Sequence, residues 1–455
     1  MIETSQGRLF DSRNVVRAVA LIFGLFTASQ LYADPQPNPT SDAREFVKTT
    51  GQVLSLGGEP FRFVGANYWQ GINLGAAGAM GDRSRLAREL DQMRDVGIST
   101  LRVMAGSEGP DTEPYRMLPP LQVRPGVYDE GVFAGLDTLL AEMASRGMRA
   151  VMVLTNYWHW SGGLAQYVAW ARGISWIPYP PQRTDYDSYQ RFVVDFYTDE
   201  RALQMYESFV RTVLARVNTV TGVPYRDDPT IMAWELANEP RGMDHPEEFV
   251  TWVKASAALI KREAPRQLVT VGSEGTTPYP GVNALPERVH ALPDIDYMTY
   301  HTWVQNWGAY DPARPESLAG ALDFARQYNE EQIALAKRLG KPIVFEEFGL
   351  ARDQGSFDPS STTAARDQYF EAMMAQALVR RPEAGLVSGI SFWAYGGEGR
   401  PREPGGTWQP GDTLTGDPPH EPQGWYSVYN TDASTLAMIK KYSAMLEQVR
   451  GSWRP

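Results

Sequence analysis

Eight short apolar runs, separated by longer amphipathic stretches, constrain the fold of this chain more than any other feature. The runs are Phe61–Asn67, Thr100–Ala105, Arg149–Thr155, Ile231–Asn238, Gln267–Gly272, Asp296–Tyr300, Pro342–Glu347 and Gly389–Ala394. Between them, Ser84–Val96, Glu130–Arg146, Ala202–Val217, Glu247–Glu263 and Leu318–Leu339 have the pattern of amphipathic helices. Near-continuous apolar strands alternating with helices predict a parallel sheet covered on its outer face. Eight of them fit an α/β fold closed into a (β/α)8 TIM barrel. An open doubly wound sheet is the competing arrangement. It usually carries a Gly-rich first turn when it binds a dinucleotide, and the sequence has no G-x-G-x-x-G.

A barrel of this kind keeps its chemistry at the C-terminal ends of its strands. Here those ends are polar and aromatic: Asn67-Tyr68-Trp69, Arg102, Asn156-Tyr157-Trp158, Asn238-Glu239, Glu274, His301 and Trp303, Glu347, and Trp393. Two of them end in carboxylates closed by a breaker, Trp234-Glu235-Leu236-Ala237-Asn238-Glu239-Pro240 and Val344-Phe345-Glu346-Glu347-Phe348-Gly349. A carboxylate at the end of a buried strand is costly unless it has a partner or a task. Two that meet in space are what glycoside hydrolysis needs, one as acid and one as nucleophile or base. Glu239 is expected to be the general acid and then the general base, with a pKa raised by a partly desolvated mouth. Asn238 is placed to hold a substrate hydroxyl, and Glu235, four residues earlier, reads as structural. Glu346 and Glu347 are adjacent, so in a regular strand they point to opposite sides. Periodicity does not choose between them, and the outward one is expected to pair with a cation behind the sheet.

Composition removes other classes of function. The chain has 455 residues, a net charge of −11 and a pI near 5.1, which argues against nucleic-acid or anionic-membrane partners. With no cysteine there are no disulfides and no thiolate metal sites. The five histidines are well separated, with neither an H-E-x-x-H motif nor a Gly-Lys phosphate loop, so no metal and no cofactor are expected. Asp227-Asp228 reads as a turn. A monomer is expected. Thirteen Trp and 22 Tyr supply flat faces for packing on sugar rings. Trp69, Trp158, Trp160, Trp303, Trp307 and Trp408 are the candidate platforms, with His159 and Glu274 as further rim contacts.

Arg13 and Arg17 precede an apolar stretch, Ala18 to Thr27, and Leu31-Tyr32-Ala33 offers a cleavage site before Asp34. Residues 1–33 therefore read as a secretory signal peptide, 34–43 as a Pro-rich linker and 44–455 as a single barrel domain. The protein is expected to be secreted or periplasmic, with no membrane partner once the signal is removed. Gly396 to Thr431 is a long Gly- and Pro-rich segment after the last strand. Loops of this length are functional or disordered, and its aromatics favour function. A closing helix is expected near Ser434–Val449, with Leu436, Ile439, Tyr442, Leu446 and Val449 on one face.

Trp234–Arg241 together with Val344–Gly349 resembles glycoside hydrolase family five, and more closely its β-1,4-mannanase branch. Further matching segments are Gly65–Trp69, Leu101–Gly109, Trp160–Gly163, Phe392–Arg400 and Gly424–Tyr429. They run through almost the whole chain from about residue 50. The resemblance implies a retaining endo-β-1,4-mannanase acting on mannan, glucomannan or galactomannan, with Glu347 as nucleophile and Glu239 as acid/base. It further implies that Arg102 keeps Glu347 ionised, that His301 sits beside the acid/base and the −1 sugar, and that Trp393 floors the −1 subsite. Where the family often has a tyrosine bonded to the nucleophile, this chain has Trp303, whose indole N–H is left as the possible donor. An exo-acting β-mannosidase or mannobiohydrolase, a β-glucanase, and a non-catalytic sugar-binding barrel are the alternatives on the same scaffold.

Overall fold

Residues that are apolar on both faces leave a strand no solvent side, and such strands form here as expected. The computed structural model describes residues 45–78, 80–277, 284–378 and 387–450; the expected signal peptide and linker lie outside them. Eight strands make one parallel sheet: β1 (Phe63–Asn67), β2 (Ile98–Met104), β3 (Arg149–Val153), β4 (Ile231–Glu235), β5 (Leu268–Thr270), β6 (Met298–Thr302), β7 (Ile343–Phe348) and β8 (Val387–Phe392). Each pairs in parallel with its chain neighbours from β1 to β5 and from β6 to β8. β8 pairs back onto β1, with Gly389 beside Phe63. A Cβ on Gly389 would lie 2.2 Å from the Phe63 ring, so this closure needs glycine. Asp296 N–H to the Val269 carbonyl (2.8 Å) and the Thr270 hydroxyl to the Tyr297 carbonyl (3.0 Å) join β5 to β6 and complete the (β/α)8 barrel.

A helix follows each strand: α1 (Arg83–Asp95), α2 (Glu130–Ser145), α3 (Glu200–Ala215), α4 (Pro246–Glu263), α5 (Ala284–His290), α6 (Leu318–Leu339), α7 (Ala364–Leu378) and α8 (Ala433–Arg450). Their starts are fixed locally. Asp82, Asp129 and Asp199 cap α1, α2 and α3 by accepting from backbone N–H groups of the first turn, and Pro246 opens α4. Ile439, Tyr442 and Leu446 bury the inner face of α8 as its periodicity predicted.

Sequence periodicity did not disclose the small elements. An antiparallel sheet of Lys48–Thr50, Val53–Leu56 and Glu59–Pro60 precedes β1. Its Leu54 packs with Val47, Phe61 and Phe63 against Val151, Met232, Leu268 and Val344, filling the barrel at the N-terminal ends of the strands. Two helices, Gly163–Arg172 and Tyr186–Val193, lie inside the loop between β3 and α3.

The segment between β8 and α8 is ordered by buried charge. Asp432 accepts from Arg352 at 2.7 and 2.8 Å, from Arg366 at 3.2 Å and from the Tyr429 N–H at 2.9 Å. Arg366 also donates to the carbonyls of Leu350 and Ser427, which ties the loop after β7 to the end of the long one. Both arginines are buried. Asp432→Ala strands two cations and is expected to cost about 3–5 kcal/mol. Urea unfolding checks this, and a loss under about 1 kcal/mol contradicts it.

Candidate active site

The strand carrying the second acidic segment does not alternate as a regular strand does. β6 pairs with β7 as Tyr300 to Phe345 and then His301 to Glu347, leaving Glu346 as an extra residue. This bulge turns both carboxylates into the barrel. Glu347 lines the mouth. Glu346 lies just below it, 1% exposed, 3.7 Å from Arg102 Nε and 3.7 Å from His301 Nε2. The expectation of a cation behind the sheet is thereby corrected, because the partner of Glu346 is inside.

Arg102, from β2, is the hub. Its guanidinium donates to both oxygens of Glu235 (2.9 and 2.5 Å), to Asn67 Oδ1 (3.0 Å), to Asn238 Oδ1 (2.7 Å) and to Glu347 Oε1. Glu235 is structural, as its depth suggested. Gly272, at φ +82°, makes room for it, since a Cβ there would sit 2.3 Å from Glu235 Oε1. One cation thus serves several carboxylates, and it does not hold Glu347 low. Burial pushes the Glu347 carboxyl up to about 7, with His301 and Arg102 opposing and Glu239 and Glu346 adding to the rise.

Glu239 follows β4 in a left-handed backbone conformation, φ +51°, directly before Pro240. Such strain costs on the order of 1–3 kcal/mol and gathers at functional positions. It sets the carboxylate between two donors: His301 Nδ1 lies 2.5 Å from Oε1, and Trp158 donates its indole N–H to Oε2 at 2.6 Å. The expected rise in pKa is reversed. Burial raises Glu239, but the His301 bond and charge, Arg241 and the Trp158 N–H outweigh it and bring it down to about 2. Burial lowers His301, yet Glu347, Glu239 and Glu346 carry it up to about 10. The His301–Glu239 pair therefore shares one proton, which lies on the histidine side. Nearby, burial pushes Glu274 up to about 8 while Arg241 grips both of its oxygens at 2.7 and 3.0 Å. Arg241 also lies 4.9 Å above the Trp158 ring.

Asn238, Glu239, Glu274, Trp158, Trp303, Trp393 and Glu347 all line one cavity of about 1030 Å³, joined by Trp160 and Trp307. Arg102 and His301 do not line it. They lie beneath the carboxylates and act on them. Trp69 is not a platform either: it is buried edge-on behind Trp160, its N–H given to the Gly416 carbonyl at 2.8 Å. Trp408 is buried within its own loop, its N–H on the Asp412 carbonyl. His159 is 1% exposed and packs edge-on against Tyr179, Tyr189 and His420. Trp303 gives no hydrogen bond to Glu347; it packs on Tyr426, Trp393 and the open side of Gly349.

The residues that sequence reasoning missed come mostly from the long loop after β8. Asp417 accepts from the N–H groups of Gly424 and Tyr426 and from the Ser427 hydroxyl, so the loop is built around a buried carboxylate. It carries His420, Glu421 and Trp425 to the cavity wall. Burial drives the Glu421 carboxyl well above the usual range. The aromatics of this loop were a signal of function, but nothing in the sequence singled out Glu421. Arg241, two residues after Glu239, could have been found as a cation beside a carboxylate. Among the described residues, Glu239, His301 and Glu347 are the group whose donor atoms gather as an ion's ligands do, all within 4.8 Å of one another. Arg102 already bonds Glu347, so the cluster meets its own buried cation.

The family model described as GH family 5 beta-mannosidase-like matches residues 44–451. Mannan endo-1,4-beta-mannosidase 5 of Solanum lycopersicum is 30% identical, over 84% of this chain and 90% of its own length. Putative mannan endo-1,4-beta-mannosidase 9 of Oryza sativa subsp. japonica is 33% identical over 77% and 81%. Among solved structures, the glycoside hydrolase family 5 mannosidase from Rhizomucor miehei superposes with a TM-score of 0.83 at 43% identity, covering 90% of this chain and 100% of that one. The endo-beta-1,4-mannanase from Thermotoga petrophila gives 0.62 at 26%, over 85% and 77%. With the acidic strand ends, the barrel and these relatives in agreement, the chain belongs to glycoside hydrolase family 5, in the branch that holds mannanases and mannosidases.

Proposed function

We propose that this glycoside hydrolase is a retaining β-mannosidase that takes units from the ends of β-1,4-mannan, glucomannan or galactomannan chains. The observation that carries the exo reading is the bridge across the mouth. His420, from the loop after β8, meets His159, from the loop after β3, at 5.0 Å between ring centroids. Strands β1 and β2 lie between these two loops, so the bridge closes the cleft on that side. An endo-acting enzyme needs a groove open at both ends. The 43% identity to a mannosidase, one variant of which is in complex with mannosyl-fructose, supports a mannoside as the substrate. Endo cleavage is the second reading, favoured by the named activity of the plant relatives.

Retention is supported by spacing. One oxygen of Glu239 and one of Glu347 lie within 4.8 Å of each other. Retaining pairs stand about 5–5.5 Å apart, whereas inverting pairs leave about 6.5–9.5 Å for a water. In this reading Glu347 attacks the anomeric carbon as the glycosidic bond breaks, and the departing oxygen takes a proton from Glu239. Water then attacks the glycosyl-enzyme and gives its proton back to Glu239. Trp393 and Trp160 form the apolar bed, and Asn238 faces the sugar hydroxyls. Removal of the signal peptide to a secreted or periplasmic form belongs to the same proposal.

On mannohexaose, one short product is expected from the first minutes, with slow loss of viscosity on galactomannan; an early ladder of intermediate lengths favours the endo reading. Glu347→Ala is expected to lower kcat by at least about 10⁴-fold with the fold retained, as typical for a nucleophile. Activity surviving that change removes the assignment. The free enzyme needs Glu347 ionised, so kcat/KM should rise with pH through about 7 and fall as the His301–Glu239 pair loses its proton toward 10. An acid limb near 4 would contradict the environment described for Glu347. N-terminal sequencing of the exported protein should begin at Asp34, and an intact Met1 would refute cleavage.

A further inference from the structure

Glu346 has no part in the chemistry above, yet it is buried inside the barrel beside that chemistry. Its Oε2 has no hydrogen-bond partner among the described residues, and neither has Nε2 of His301. These two orphaned atoms face each other at 3.7 Å. On its other side, His301 Nδ1 lies 2.5 Å from Glu239 Oε1 and 3.4 Å from Glu347 Oε2. A neutral imidazole donates from one nitrogen only. With carboxylates facing both nitrogens, the imidazolium is the form that matches the pocket.

We propose that Glu346 is a positioning residue that keeps His301 doubly protonated and aimed at Glu239, so that the His301–Glu239 pair stores the proton the leaving group takes. This rests on the roles given to Glu239 and Glu347. In glycosylation the bond from Glu347 to the anomeric carbon forms and the glycosidic C–O bond breaks; the shared proton moves from His301 Nδ1 through Glu239 to the departing oxygen, which leaves Glu239 ionised and the imidazole neutral, with its remaining proton on Nε2 toward Glu346. In deglycosylation water oxygen bonds the anomeric carbon as the bond from Glu347 breaks, and the water proton passes through Glu239 back to His301 Nδ1, so each turnover leaves the proton count unchanged.

The charges around the imidazole agree with this. Arg102 from β2 sits 3.7 Å from Glu346 Oε1 and favours its ionised form; burial opposes, but Arg102 and His301 win and hold the Glu346 carboxyl below its ordinary value. Burial pushes Glu235 from β4 up to about 8, with Arg102 opposing and Glu346 adding to the rise, and both of its oxygens are taken by Arg102. Glu347 from β7, Glu239 after β4 and Glu274 after β5 complete the ring around His301. Tyr297 before β6 and His290 of α5 also feel Glu346; burial raises the first and lowers the second, so both stay neutral. Glu346 is thus the anion at Nε2, opposite the acid/base.

The test compares Glu346→Gln with the parent full-length enzyme, as kcat/KM against pH on mannotriose and on 2,4-dinitrophenyl β-mannoside. The dinitrophenolate departs without protonation. With the charge removed, the alkaline limb on mannotriose should move down by at least about one pH unit, a loss of about fivefold at pH 10, while the dinitrophenyl substrate changes under about twofold. Glu346→Asp keeps the charge and should bring the limb back. A superimposable profile, or equal losses on both substrates, overturns the proposal. Should the Gln variant not fold, histidine-selective ¹⁵N NMR of the unaltered protein decides: His301 should carry protons on both nitrogens at pH 8, and a neutral ring overturns the proposal. Failure of the underlying reading shows separately, as hydrolysis that survives Glu347→Ala.

Discussion

The Arg102 guanidinium is the interaction on which the rest of the site depends. Four carboxylates, Glu235, Glu239, Glu346 and Glu347, are gathered in the upper half of one barrel, each nine-tenths or more buried. Isolated carboxylates would be neutralised or expelled from such a place. Arg102 bonds Glu235 and Glu347 directly, approaches Glu346, and orients Asn67 and Asn238 by their amide oxygens. The planar fork suits this task, since one side chain offers five N–H donors in fixed directions. A lysine would carry the charge but could not span strands β1, β2, β4 and β7 together.

Because one cation is divided among several anions, proton occupancy settles the remainder. Glu235 is raised by burial despite Arg102, and Glu347 is raised too. His301 adds the second positive charge and lowers Glu239. The site is therefore arranged with its proton on the imidazole, not on the acid itself. A substrate that excludes water and places an ether oxygen against Glu239 changes that balance. The left-handed backbone at Glu239 and the Trp158 N–H fix where the carboxylate points when this happens.

Remote parts of the chain hold this arrangement in place. The Arg352–Asp432–Arg366 cluster anchors the far end of the loop after β8, and Asp417 builds its middle. That loop delivers His420, Glu421 and Trp425 to the cavity and meets the loop after β3 through His159. Thus buried charge is used twice: once beneath the reacting carboxylates, and once to make a Gly- and Pro-rich segment hold one shape over them.

The eight strands were legible in the sequence, because strands buried on both faces must be apolar and helices between them must be amphipathic. Glu239 and the pair Glu346–Glu347 were legible as candidates as well, because a carboxylate closing an apolar run has few structural reasons to be there; the choice of Glu347 within the pair came from the family resemblance. The tertiary structure alone decided what depends on register and on contacts between distant segments. Period-two alternation lets only one of Glu346 and Glu347 face inward, and a single-residue bulge against β6 brings both in. Trp69 and Trp408 look like Trp160 in sequence, yet only their neighbours in space tell a buried wedge from a cleft wall. The pKa order of Glu239 and Glu347 is likewise absent from the sequence, since it depends on which anion lies nearest to His301. Local pattern determines which residues are buried and which can react; the distances between segments up to a few hundred residues apart decide how charge and protons are shared among them.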